Sequence, residues 1–259
     1  AHVEDLAAAK RQGIFTKDAE TLARAFWPGP LTLVLPLAST VTVCALARSG
    51  LDSVALRVPA HPVARALLAD VGLPLCAPSA NLSGHVSPVT AAHVMNDLEG
   101  RIDLVLDGGP SSVGVESTIV ACLDETVQLL RPGGIAREAI EKILGYSLDH
   151  AEANSDAPRA PGQLVSHYAP RAKLRLEASE VQPGEAGLDF GGRFAPADNV
   201  LDLSPRADLT EAAAHLFSHL RQLDTLGTAV IAVAPIFNKG LGEAINDRLR
   251  RAAADRPSS

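Results

Sequence analysis

The stretch "FWPGPLTLVLPL", residues 26–37, joins the end of a helix, a proline-rich turn and the start of a strand. Residues 18–26 have helical spacing, and the helix is predicted to end at Trp27-Pro28-Gly29. Residues 31–37 are strand-like, and Pro36 predicts either an edge position or an early end, because proline donates no ladder hydrogen bond. A helix that leads directly into a strand favours the α/β class.

Helices and strands continue to alternate along the chain. Further helices are predicted at 4–12, 61–71, 90–98 and 136–144, and further strands at 53–58, 75–77, 104–106, 117–123 and 127–130. Residues 149–163 are polar, contain two prolines and have no periodicity, so they predict a linker. Beyond the linker, helices at 209–222 and 240–253 with a strand at 228–235 predict a second, smaller α/β unit.

Composition excludes several classes of protein. The chain has 259 residues and a formal net charge of −7, which argues against a protein that binds nucleic acid mainly through its phosphates. No apolar run approaches the roughly 20 residues that a membrane span requires. Three widely spaced cysteines form no Cys-x-x-Cys pair, which favours the reducing cytosol over a disulfide framework.

Small polar residues follow an apolar run in "PLCAPSANLSG", residues 74–84. Their small side chains leave backbone N–H groups accessible to phosphate oxygens. An ordinary turn rich in serine and asparagine explains the same composition, so the pattern alone does not decide. Arg57 lies within the apolar strand "VALRVP", where it makes a two-bond contact with a ligand carboxylate, forms a structural ion pair, or points outward.

Two further loops, "GGPSSVGVEST" at 108–118 and "LLRPGGI" at 129–135, also lie beside predicted strands. Neither contains a Walker or a Gly-x-Gly-x-x-Gly fingerprint. Because the second loop adds Arg131, the set favours a cleft for an anionic ligand. Tyr168 in "SHYAPRAKL" is interpreted either as part of a lid or as packing between domains. The residues identify no catalytic side chain and no protein-held metal.

Taken in order, these segments resemble the YrdC-domain family, in the long two-domain form of the threonylcarbamoyl-AMP synthases. The resemblance also includes "FNKGLGEAINDRLRRAA" at 237–253 and covers nearly the whole chain. It implies an α/β fold: a YrdC-like open twisted sheet with a concave ligand cleft, plus a smaller Rossmann-like C-terminal domain. The implied boundaries are 1–148 for the catalytic domain, 149–172 for a linker and lid, and 173–259 for the C-terminal domain.

The resemblance implies a cytoplasmic nucleotidyltransferase. It would join L-threonine, bicarbonate and ATP, accompanied by Mg²⁺, into threonylcarbamoyl-adenylate and pyrophosphate for a tRNA modification, with no membrane or DNA partner. The implied ATP-binding residues are Ser53, Ser79, Ser87, Arg131 and Tyr168. The implied threonine-binding residues are His2, Arg57, Ala77 and Ser117.

Family members also carry a Lys-x-Arg-Pro element that supplies positive charge to the phosphates, and this chain starts just after it. We therefore expect the polypeptide as given to be a truncated form that binds ATP weakly and turns over poorly. Two other functions are considered: an RNA-binding or regulatory YrdC-like module, and a carbamoyl-adenylate-forming module of the hydrogenase-maturation type. The acidic charge disfavours the first, and the additional C-terminal domain disfavours the second.

Overall fold

A computed structural model describes residues 1–123, 126–150 and 168–254. The chain forms two compact units, the first from 1–78 and 116–163 and the second from 79–115 and 164–259. Residues 151–167, which contain most of the predicted linker and lid, lie outside the described residues.

The elements alternate as the sequence predicts. The helices are α1 (Leu6–Lys10), α2 (Lys17–Phe26), α3 (Pro62–Val71), α4 (Ala91–Leu98), α5 (Arg137–Leu144), α6 (Leu209–Thr225) and α7 (Leu241–Ala253), with a 3₁₀ turn at Leu46–Arg48. The strands are β1 (Leu31–Pro36), β2 (Ser53–Leu56), β3 (Thr118–Ala121), β4 (Gln128–Arg131), β5 (Asp149–His150), β6 (Lys173–Arg175), β7 (Ala186–Asp189), β8 (Val200–Asp202) and β9 (Val230–Val233).

The sheet of the first unit has the order β2-β1-β3-β4-β5. Strand β1 lies antiparallel to β2 and parallel to β3, so it is not an edge strand. Pro36 is the last residue of β1, which confirms the early end and makes the edge alternative wrong. Pro36 can close the strand because its missing N–H is needed only where the ladder continues.

Alternation along β1 divides the two faces of this sheet. Leu31, Leu33 and Leu35 are fully buried in a cluster that includes Leu22 of α2. The opposite face has a smaller buried cluster of Val34, Ile119, Ala121 and Leu130. Few apolar side chains are buried on this second face, so polar residues occupy part of it.

The second unit contains a fully parallel sheet in the order β6-β9-β7-β8. Helix α6 buries an apolar stripe against it and begins at Asp208, whose carboxylate accepts from the Glu211 amide at 2.8 Å. A parallel sheet covered by helices confirms the predicted Rossmann-like α/β character. Residues 79–115 pack in the same unit: a Cβ on Gly114 would lie 2.1 Å from the Ala213 carbonyl oxygen of α6.

Two predicted strands are wrong. Residues 104–106 form no strand, and Leu104 and Leu106 are 74% and 54% exposed. The 75–77 strand is reduced to one isolated bridge from Leu75 to His2, and Ala77 is exposed. Short apolar runs satisfy a strand pattern whether or not a partner strand is available to accept their hydrogen bonds.

Candidate active site

Four polar side chains lie on the sparsely covered face of the first sheet, at one end of its strands. Thr32 alternates with the buried leucines of β1, and Arg57 lies beside it, one residue beyond the Leu33–Leu56 pair. Arg131 pairs with Ile119, because a bulge in β4 shifts the register there. Directly opposed residues in an antiparallel pair share a face, so the bulge brings Arg131 to the face of Ile119.

Ser117 connects these side chains. Its hydroxyl lies 2.7 Å from the Thr32 hydroxyl. The Arg131 Nη2 donates to the Ser117 carbonyl at 2.8 Å and to its hydroxyl at 3.3 Å. A Cβ on Gly133 would lie 2.4 Å from backbone atoms of residues 116–118, so this close approach requires glycine. The loop after β4 thereby supports the backbone that holds Ser117.

Arg57 presents an unpaired guanidinium edge on this face. Its Nε donates to the Gly29 carbonyl at 2.9 Å. Within the described part of the chain, neither terminal nitrogen of Arg57 has a hydrogen-bond partner. Burial, and then the charge of nearby Arg131, lower the Arg57 pKa. Two neighbouring cations attract an anion, and a free guanidinium edge fits a carboxylate with two parallel bonds.

His2 lies between the Arg57 strand and Leu75. It forms a parallel bridge to Arg57 and an antiparallel bridge to Leu75, whose carbonyl accepts from the His2 amide at 2.7 Å. Burial and then the Arg57 charge, with a further contribution from the chain's amino group, lower the His2 pKa to about 4. The imidazole is therefore neutral near pH 7 and offers one donor and one acceptor without adding positive charge.

Of the two other predicted residues of the first unit, Ser53 lies away from this cluster. Ser53 shares a face with Arg57 but pairs with Pro36 at the far end of β2, about 13 Å away at the usual rise per residue. Ala77 is exposed and follows the Leu75 bridge by two residues. The first unit thus brings together Arg57, Ser117 and Arg131 with His2 beside them, and leaves Ser53 apart.

Ser79, Ser87 and Tyr168 belong to the second unit. Ser79 is exposed and precedes Ala80, whose φ of 55° is in the left-handed region. That conformation costs roughly 1–2 kcal/mol for a non-glycine residue, so neighbouring contacts must hold it in place. Ser87 is buried at 4% exposure. That these residues share one ligand cavity with Arg57 stays a prediction.

The Tyr168 ring is part of the second unit's core. It is 1% exposed, stacks on Phe217 with ring centroids 5.6 Å apart, and lies 5.2 Å from the Arg248 guanidinium carbon. These contacts lie within one compact unit, so they test neither the lid nor the packing between domains. A contact between Tyr168 and ATP stays a prediction.

Sequence reasoning missed Thr32. The signal was present, because Thr32 is the polar residue of "LTLVL" and alternation directs it away from the leucine face. Its hydroxyl contact with Ser117 makes it a candidate site residue.

The described residues contain no group of three or more His, Cys, Asp or Glu side chains that could hold a metal ion. In the same ranges, no helix is both long and apolar enough to span a bilayer.

Comparison with known proteins identifies the family of this chain. A sequence profile described as "Telomere recombination" (Sua5_yciO_yrdC) matches residues 1–133, and one described as "Threonylcarbamoyl-AMP synthase, C-terminal domain" matches residues 135–254. The chain belongs to the Sua5/YrdC family. Two Sua5/YrdC relatives, both named threonylcarbamoyl-AMP synthase, come from Bacillus subtilis and Pyrococcus abyssi. The first is 40% identical over 92% of this chain and 73% of its own length. The second is 39% identical over 93% of this chain and 75% of its own length.

Solved structures of Sua5 agree with this fold. The crystal structure of P. abyssi Sua5 complexed with L-threonine has a TM-score of 0.88 at 36% identity, over 97% of this chain and 78% of that one. A variant of P. abyssi Sua5, in which an adjacent histidine and tyrosine are both replaced by alanine, has a TM-score of 0.86 at 34% identity. The resemblance inferred from the sequence motifs and the predicted two-part α/β fold are both confirmed.

Proposed function

We propose that this chain is a threonylcarbamoyl-AMP synthase that binds L-threonine against the more polar face of its first sheet. The observation that carries the proposal is the unpaired Arg57 edge, which lies on the same face as Ser117 and Arg131. Two relatives that cover most of this chain have this activity in their names, and one solved relative contains L-threonine.

In the proposed reaction, the amine of threonine and bicarbonate form a carbamate with loss of water. A carbamate oxygen then attacks the α-phosphorus of ATP, and the bond to the β-phosphate oxygen breaks with release of pyrophosphate. Arg57 binds the threonine carboxylate, while His2, Ala77 and Ser117 surround the rest of the amino acid. The chain's residues act by positioning the reactants and neutralising charge, and none of them forms a covalent bond to substrate.

ATP is proposed to contact Ser53, Ser79, Ser87, Arg131 and Tyr168. Arg131 provides the charge, and it is fixed through the Ser117 carbonyl and hydroxyl. Mg²⁺ is proposed as the companion of ATP, because this ion commonly keeps water and substrate phosphates as ligands and needs few from protein. The described side chains do not form a metal site by themselves, so no step is assigned to the metal.

The product is proposed to serve the threonylcarbamoyladenosine modification of tRNA in the cytoplasm. The match of residues 135–254 to a synthase C-terminal domain favours this function over a hydrogenase-maturation module. Domain boundaries at 148 and 173 stay predictions.

The decisive experiment uses labelled bicarbonate. The purified chain is incubated with ATP, L-threonine and ¹⁴C-bicarbonate, and products are separated by chromatography beside a pyrophosphate assay. We expect a labelled adenylate whose formation requires L-threonine and is lost when L-alanine replaces it. Pyrophosphate release that is independent of threonine, or no labelled adenylate at high enzyme concentration, would contradict the proposal. Calorimetry with L-threonine alone tests substrate binding separately from turnover.

A further inference from the structure

A partly buried arginine of α6 is hydrogen-bonded to the segment that carries two of the proposed ATP-binding serines. The Arg221 guanidinium donates to the carbonyls of Val86 and Ser87, the latter at 3.3 Å. It also forms an ion pair with Asp97 at 2.7 Å. The side chains of Arg221 and Asp97 are only 17% and 10% exposed. This pair therefore differs from an ordinary surface salt bridge, which contributes little.

The loop has a second contact with a group outside it, besides those made by Arg221. Farther along the chain, the Ala169 amide donates to the Gly84 carbonyl at 2.9 Å. The loop at residues 79–87 is thus held near its middle and at its end by groups outside it.

The contact made by Arg221 joins residues that are matched by two different family profiles. Arg221 lies in the stretch matched by the C-terminal-domain profile, whereas residues 79–87 lie in the stretch matched by the first profile. Both belong to one compact unit. A side chain from the C-terminal family segment is therefore hydrogen-bonded to the backbone at the end of the 79–87 loop.

We propose that Arg221 is a positioning residue for ATP binding: from α6 it fixes the 79–87 loop so that Ser79 and Ser87 are correctly placed for the nucleotide. The inference rests on the proposed function, since it assumes that these serines contact ATP. It assigns part of the C-terminal domain to the assembly of the nucleotide site. Arg221 itself need not contact the substrate.

The test compares three variants that separate the carbonyl contacts from the ion pair. Arg221→Ala removes the carbonyl contacts and the ion pair. Arg221→Lys keeps the positive charge but replaces the planar guanidinium, which donates to several acceptors, with a single ammonium. Asp97→Asn removes the carboxylate charge and leaves Arg221 able to reach the carbonyls. Arg206→Ala is the matched control, because the Arg206 side chain is 85% exposed in the same unit.

ATP and threonine affinities are measured by calorimetry, together with the KM for each substrate. We expect Arg221→Ala to weaken ATP binding at least tenfold and Arg221→Lys to lie between it and the parent. Asp97→Asn should lower the Tm but change ATP affinity less than threefold, and threonine affinity should stay within twofold in every variant. Equal ATP losses for Arg221→Ala and Asp97→Asn, or proportional losses for both substrates, would assign Arg221 a purely structural role and overturn the inference.

Hydrogen exchange without any ligand provides a readout that does not depend on the proposed function. Arg221→Ala should accelerate amide exchange in residues 79–87 at least tenfold relative to Arg206→Ala, while the strands of the first sheet are unchanged. Unchanged exchange in the loop would overturn the inference. A parent protein that shows this loop protection but no ATP binding would instead contradict the proposed function.

Discussion

Replacing Arg57 with alanine should weaken threonine binding far more than ATP binding. The structure leaves both terminal nitrogens of Arg57 without a partner in the described ranges, while Nε is occupied by the Gly29 carbonyl. A carboxylate in this position gains two hydrogen bonds to a charged group, each contributing about 1.5–3 kcal/mol. Taking the lower value for both gives about 3 kcal/mol, or roughly a 150-fold increase in the threonine Kd.

The conservative substitution Arg57→Lys sharpens the expectation. Lysine keeps the charge but replaces the planar fork with a single ammonium. If one of the two bonds survives, the threonine Kd should rise about tenfold. Arg11→Ala is the matched control, since Arg11 is an exposed arginine of the same unit. Its threonine Kd should equal that of the parent.

Calorimetry supplies the measurement, with threonine titrated into the apoprotein and, separately, a non-hydrolysable ATP analogue. Arg57→Ala should change the affinity for the analogue less than about threefold, because a more distant charge is partly screened at physiological ionic strength. Since Arg57 contributes to the lowered pKa of His2, the variant should also show a higher His2 pKa by NMR. Equal losses for both ligands, together with a large drop in Tm, would show that Arg57 is structural and refute the carboxylate-binding argument.

Three further predictions follow from individual contacts. Gly133→Ala should lower kcat/KM about 100-fold, because a shift of about 1 Å near the chemistry has that effect; Gly145→Ala, where a Cβ would meet nothing within 4 Å, should lose stability but not activity. His2 should titrate near pH 4, so the free energy of unfolding should fall by up to about 3 kcal/mol as pH drops from 6.5 to 4, and His2→Asn should remove that part of the slope. Cys122 is 1% exposed and burial raises its pKa to about 12; native alkylation followed by mass spectrometry should label the other two cysteines and spare this one.

The sequence was sufficient to predict the elements whose burial pattern is local. The alternating leucines of β1 and the helix that ends at Phe26 follow directly from hydrophobic periodicity and from Trp27-Pro28-Gly29. The strand expected at 104–106 failed for a non-local reason, since a strand needs a partner to satisfy its backbone groups. No local pattern reports whether that partner exists.

Only part of the site was predicted, again because some of its contacts join residues that are distant in the sequence. Arg57 was identified because a charged residue within an apolar strand is unusual, and Arg131 because it lies at the end of a predicted strand beside a Gly-Gly turn. The bulge that pairs Arg131 with Ile119 depends on the packing of two strands and leaves no simple mark in the sequence. Thr32 was missed although alternation alone gives its face, because its significance depends on Ser117, which lies 85 positions away along the chain.

The assignment of residues 79–115 to the second compact unit determines how this polypeptide can be dissected. A fragment that ends at the boundary between the two family profiles would contain residues 79–115 without α6. The Asp97 carboxylate would then lack its counter-ion, Arg221. Such a half would expose apolar surface around Val86 and Val89 and would tend to aggregate. Separately expressed halves should regain a native arrangement only by complementation, as two pieces of one folding unit.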